Sequence, residues 1–476
     1  MSEITIMPEY IDVGGGTLRN IGDIPVQVNR WLGRQYPWKY TVFEENGTYY
    51  LKNEETGKVI DSDSEPSNII NTAMTSLTNG RTWIEKVSLK GTFPVMSPVT
   101  IPSYTYFRIE GEVKANASMT RLLDCRDTSL MYLFGGKIDG NGQVDKVVDL
   151  TQSIPTVTHN RIGHCVICGA KDTVDSCLID ITGNSGVQID QPWLDGRVGA
   201  SGTVDSAHFG IILDSSGGQN SVYLGDTNNF FKEACIRIKG GYLTLIGGAL
   251  EGGHGTAVNI LIKSDNSGVG LRVVGTWMES NTDNILIQEG SYSPAYVDVA
   301  PSYMSAGGSG YANIRSTTTS NHLEHLRIRG GTWVNSGGSY CVDCDAVEAI
   351  IDKVAFGQDI NISKLQHYII WNYPSWIMMK TNDQVEIGST LTTAGAHFTS
   401  DVLFDNNLVM RWKNSSGVQK NVLKLGNDDK TELQMYDGLI YDPSNQGDAT
   451  LSGTPKIVEI KIDGVSYYFK VYPNIG

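Results

Sequence analysis

No apolar run in this chain approaches the ~18 residues a membrane-spanning helix needs, so no bilayer insertion is expected. Charge is sparse too. Asp, Glu, Lys and Arg make up 19% of the 476 residues, and the acidic excess leaves a net charge of −15. A field of that sign disfavours nucleic acid and anionic surfaces as partners. The opening Met1-Ser-Glu-Ile-Thr5 lacks a basic segment leading into an apolar run, so no signal peptide is expected. Cysteine is scarce and odd in number, seven in all, which without an export signal argues against a disulfide framework. Cys165-Val-Ile-Cys168 and Cys341-Val-Asp-Cys344 have the spacing of zinc thiolates. Stacked repeats would hold the two pairs about six coils apart, roughly 30 Å at ~4.8 Å per coil. They therefore read as small apolar core residues, with no metal and no cofactor expected.

Helical periodicity is nearly missing. What takes its place is a short alternating strand, a glycine corner and a further inward apolar residue. Leu243-Thr-Leu-Ile-Gly-Gly-Ala-Leu-Glu251 matches Leu271-Arg-Val-Val-Gly-Thr-Trp-Met-Glu279 position by position, at an offset of 28 residues. Met131 to Asp139 and Leu326 to Val334 follow the same pattern. Period-two runs too short for amphipathic helices, returning at this interval in a chain with 53 glycines, predict a solenoid of parallel strands. A solenoid also answers the length, because each coil packs only on its neighbours.

The chain divides into three regions. Residues 1–62 form an N-terminal arm, with Trp31 and Trp38 among polar residues, followed by a small meander. In the meander Thr41–Glu45 and Thr48–Lys52 flank the hairpin turn Asn46-Gly47. Residues 63–380 form the coils, opened by the one convincing helix. Asp63 to Pro66 supply its first-turn chemistry, and Ile70, Ala73, Met74 and Leu77 its apolar face. Asn79-Gly80 supplies a left-handed end. Such a helix suits the cap that an open solenoid end requires. Residues 191–207 read as a loop leaving the solenoid. Residues 381–476 form a β-rich tail ending in a hairpin, where Val458, Ile460 and Ile462 face Val465, Tyr467 and Phe469 across Asp463-Gly464. A lone hairpin is marginal in water, so other copies of the chain are the natural cover for its apolar face.

These pieces resemble viral, phage-like tail fibres and tailspikes. The most specific residues are Phe404 to Lys413, Asn421 to Lys430 and the final hairpin running into Val471-Tyr-Pro473, while Tyr40 to Val87 resembles the entrance to pectate-lyase-like domains. The resemblance implies an all-β, right-handed parallel β-helix (pectin-lyase-like) with a C-terminal trimerisation domain. It implies a homotrimer, attachment to the virion tail through the N-terminal region, and binding or cleavage of a host surface polysaccharide. A cellular adhesin is a third reading, disfavoured by the missing export signal.

Alternation supplies the candidate chemistry. Leu250 and Met278 point inward, so Ala249, Glu251, Trp277 and Glu279 point outward. Carboxylates one coil apart, at ~5 Å, suit a retaining glycosidase. Glu251 and Glu279, with Asp283 on the turn just after, are the candidate catalytic residues of a glycoside hydrolase or polysaccharide lyase; Trp277, His254 on the preceding turn and Trp193 are the candidate sugar contacts. Asp139 occupies the repeat position of Glu251. The fragments Asn281-Thr-Asp283, Gly253-His-Gly255 and Arg237-Ile-Lys239 each match a polygalacturonase motif, but in reversed order, and read as chance. Asp139, Asp226 and Asp428-Asp429 are carboxylate-rich turns suited to Ca²⁺, without any calcium-loop spacing to support them.

Overall fold

The structure is a computed structural model. It describes residues 38–363 apart from 199–206, 229, 252–256, 339, 353 and 357–358, and outside that range the backbone of several strands. The chain is a parallel β-solenoid: thirty-two strands join in one hydrogen-bonded system. Each coil gives one strand to each of three sheets. Around residue 280 these are Gly270–Val274, Trp277–Ser280 and Ile285–Gln288. Tyr296–Ala300, Tyr303–Ala306 and Ile314–Ser316 stack on them in parallel.

The register is the one the repeat predicts. Leu243 pairs with Leu271 and Leu245 with Val273; Leu250 pairs with Met278 and Glu251 with Glu279. Leu271 continues through Val297 to Leu326. Asp139 reaches Glu251 through Cys168, Asp195 and Asn228, so the two share a column four rungs apart.

The core is built of vertical ladders. On the third sheet Ile179, Ile211, Ile236, Ile260, Ile285 and Ile314 stack in register, and all are fully buried. A β-branched chain is stiff at χ1 and fits the pleated surface, so a column of isoleucines loses little freedom on packing. Inside the turns run ladders of another kind. Asn259 Nδ2 donates to Asn284 Oδ1 (2.6 Å), and Asn284 Nδ2 to Asn313 Oδ1 (2.7 Å). At another corner Asn160, Asn184 and Asn220 bond the backbone of adjacent coils: Asn160 Oδ1 accepts from Met131 N, and Asn220 Oδ1 from Val187 N. Each amide offers two donors and an acceptor at a bend where the strand ladder lapses, so it satisfies backbone groups that would otherwise be buried unpaired.

The first coil is closed by the helix Pro66–Thr75. Glu65 caps it by accepting from Ser67 N (2.8 Å), and Pro66 takes the first-turn position where its missing N–H costs nothing. Ile69, Ile70, Ala73 and Met74 are buried, and Asn71 ties the helix to the coil through Pro98 O and Thr100 N, both at 2.9 Å. The helix ends at Ser76, in right-handed geometry, earlier than the Asn79-Gly80 expected from sequence. Gly80, at φ +65°, turns the chain after that end instead. The meander is hydrogen-bonded to the coils: Tyr40–Glu45, antiparallel to Thr48–Asn53, also pairs in parallel with Glu85–Val95.

Residues 386–476 form a separate compact unit. In it Lys456–Ile462 pairs antiparallel with Val465–Val471, joining Val458 to Phe469, Ile460 to Tyr467 and Ile462 to Val465, as the alternation requires. Val409–Lys413, Gln419–Leu425, Thr431–Met435 and Leu439–Tyr441 form an antiparallel sheet.

Two predictions arise from this packing. All seven cysteines are free and buried, and burial pushes the Cys165 and Cys235 thiols up to about 12. The thiolate is the reactive form. Native protein is therefore expected to resist a thiol-reactive dye while all seven sites label in guanidinium; fast labelling of the folded chain would contradict the buried placement. The second concerns Glu289. Its carboxylate accepts from the Ser320 hydroxyl (2.7 Å) and from the amides of Thr319, Ser320 and Asn321. The Ser320 hydroxyl and these amides hold its pKa down at about 2. A depressed carboxylate stabilises above its unfolded pKa of ~4.3. That support is lost as pH falls toward about 2. Amide exchange of residues 319–321 is expected to lose protection over that window, and Glu289→Gln to remove the pH dependence.

Candidate functional site

Glycine corners decide which side chains face out on the second sheet. Gly247 and Gly275 take φ of +64° and +68°, a left-handed backbone that other residues disfavour. The chain bends there and enters Ala249–Glu251 and Trp277–Ser280 with Leu250 and Met278 fully buried. Their neighbours face out. Because Glu251 pairs with Glu279, the two carboxylates leave backbones one rung apart, ~4.8 Å. Among the described residues neither has a hydrogen-bond or ion-pair partner.

Trp277 lies beside them, paired with Ala249 on one rung and Tyr303 on the next. Its ring stacks on that of Tyr303 with centroids 4.3 Å apart and planes 25° from parallel, yet it remains 41% exposed. The asparagine ladder holds this region from within. Asn259 Nδ2 donates to Leu250 O (3.3 Å) and Glu279 O (2.9 Å), and Asn284 Nδ2 to Ser305 O (2.8 Å). Three successive strands of the second sheet are thus pinned by amides that sequence alternation does not single out.

Of the other expected site residues, Asp283 is a correction. It is 0% exposed, and its carboxylate takes a fork from Arg315 (Nη2–Oδ2 2.6 Å; Nε at 2.9 Å to both oxygens) and the Ala312 amide (2.8 Å). On the turn after Ser280 the side chain points into the wall and not toward the outer face. Asp283 has no free oxygen to offer a substrate, so the catalytic role is withdrawn.

Trp193 corrects the reading of 191–207 as a loop at its start, while residues 199–206 lie outside the described residues. Trp193–Asp195 is a strand of the second sheet, paired with Val166–Ala170 and, through Asp195, with Asn228. Trp193 is 46% exposed and stands three rungs, ~14 Å, from Trp277 on the same sheet. His254 lies outside the described residues.

Asp139 shares the column of Glu251 but is 0% exposed, with Lys137 Nζ at 2.9 Å and the Asn141 amide at 2.7 Å on its carboxylate. It is a structural ion pair, unavailable to Ca²⁺. The side chain of Asp226 and the pair Asp428-Asp429 lie outside the described residues. Arg237 bonds Asp175 (2.6 Å) and covers the Phe209 ring on the third sheet, away from Glu251.

No protein family and no curated protein matches this chain. Among solved structures PfbA, a surface adhesin of Streptococcus pneumoniae, matches 66% of this chain and 89% of its own, at 12% identity and a TM-score of 0.29.

Proposed function

We propose that this chain is a carbohydrate-binding β-solenoid of the tail-fibre or tailspike kind, which docks a host surface polysaccharide on the outer face of its second sheet. The observation that carries this reading is Trp277: a half-exposed indole, backed by Tyr303, beside two carboxylates that no side chain among the described residues engages. Aromatic faces take the apolar face of a sugar ring, and partnerless carboxylates accept its hydroxyls. In this reading three copies assemble through residues 381–476, the N-terminal region attaches to the virion tail, and repeated weak contacts add through effective concentration. Glycan arrays and light scattering test it together. Trp277→Ala is expected to abolish array binding, and the full chain to have the mass of a trimer. Unchanged binding, or a monomer, overturns the corresponding part.

The one-rung separation of Glu251 and Glu279 favours a second reading, hydrolysis with retention, since ~5 Å is the spacing of a nucleophile and an acid/base carboxyl. Release of reducing ends that survives both Glu251→Gln and Glu279→Gln would remove this pair from the chemistry.

A further inference from the structure

The coils turn from the first sheet into the second through one column of corner residues: Gly135, His164, Gln191, Leu224, Gly247 and Gly275. Each donates its amide to the carbonyl just before the corner of the next rung. Gly135, Gly247 and Gly275 take φ of +76°, +64° and +68°. His164 and Gln191 hold the same left-handed backbone, at +54° and +45°, where a Cβ is a cost that glycine avoids. The structure gives that cost no return inside the fold. Both side chains are exposed, and among the described residues neither makes a hydrogen bond or ion pair; the His164 ring only tilts toward Phe134 at 6.5 Å. Exposed aromatic rings flank them. Tyr223, one rung beyond Asp190, is 39% exposed, and Trp193, two residues past Gln191, is 46% exposed. The nearby charges satisfy each other, because Arg161 pairs with Asp190. Backbone strain kept without an internal contact points to what the side chains display.

We propose that this corner is a second contact for a neutral polysaccharide strand running along the solenoid axis. His164 and Gln191 hydrogen-bond its hydroxyls, and Tyr223 and Trp193 stack on its rings. The inference rests on the glycan-binding reading above and adds the class and direction of the polymer. Neutral imidazole and carboxamide each offer a donor and an acceptor, matching hydroxyls that do both. With Arg161 taken up by Asp190, recognition falls to uncharged groups, which suit a sugar without carboxylate or sulfate. Trp193 and Trp277 are outward residues of one sheet, three rungs or ~14 Å apart. A strand parallel to the axis reaches both, and its weak contacts add.

The test is affinity electrophoresis of the full chain through gels containing a glucan, a mannan, a galactan or polygalacturonate. His164→Gly, Gln191→Gly, Tyr223→Ala and Trp277→Ala run in parallel, with melting followed by circular dichroism. Glycine relieves a left-handed backbone, so His164→Gly and Gln191→Gly are expected to melt at the wild-type temperature or above. Each is expected to lose about three- to tenfold in retardation by a neutral polymer, the scale of one hydrogen bond, and Tyr223→Ala a similar factor for its ring. A lower melting temperature in both glycine variants would show that these side chains support the corner. Wild-type retardation in both would show that they touch no polymer. Either result overturns the inference and leaves the Trp277 reading standing. Loss in the glycine variants with none in Trp277→Ala overturns that reading and keeps the corner. Retardation by polygalacturonate alone overturns the neutral class, and no retardation by any polymer overturns both.

Discussion

Arg315→Ala is expected to destabilise the solenoid by about 3–5 kcal/mol, the cost of stranding a buried carboxylate. Asp283 is fully buried, and of the four hydrogen bonds to its carboxylate three come from the Arg315 guanidinium. Without that fork only the Ala312 amide remains. Desolvation then disfavours the charged form of a carboxyl left without its cation. A neutral carboxylic acid costs less to bury than a carboxylate, so the deficit should be larger at neutral than at acid pH. Urea melts at both pH values measure this. Arg315→Lys restores the charge but not the planar fork, and should fall between. A deficit that does not change with pH would show that lost packing on Tyr311, not the stranded charge, is responsible.

Asn284→Ala should cost about 2–6 kcal/mol, because it leaves two acceptors without their donor at ~1–3 kcal/mol each. The acceptors are Asn313 Oδ1 and Ser305 O. Asn259 keeps its bonds to Leu250 O and Glu279 O, so the damage should centre on the coil after the substitution. Coils in a solenoid interact mainly with their neighbours, so opening is expected to spread from that point before the whole array melts. Hydrogen exchange resolved by segment checks this. Early loss of protection confined to coils far from residue 284 would refute it. Asn284→Asp should be worse than Ala, since it adds charge at a fully buried site.

The repeat was legible because its glycine corners and inward residues fall on one register. Leu243 and Leu271 hold the same place in the repeat and are paired in the structure. The coil between Leu271 and Leu326 lacks the signature because Pro301-Ser302 replaces the glycine pair at its corner, although Val297 continues the column. The placement of Glu251, Trp277 and Glu279 followed from alternation. Asp283 did not, because it sits in a turn where period two no longer holds. Trp193 was lost to a loop because its strand is three residues long and carries no pattern of its own. The asparagine ladders were invisible for another reason: Asn259, Asn284 and Asn313 look like ordinary turn residues until the register stacks them.

The hidden sulfur atoms have a consequence for the life of this protein. With every thiol sealed in the wall of the solenoid, none is placed to exchange with glutathione or to cross-link neighbouring copies. The same fold can be made under strongly reducing conditions and then work in air-saturated surroundings, without depending on an oxidative maturation step.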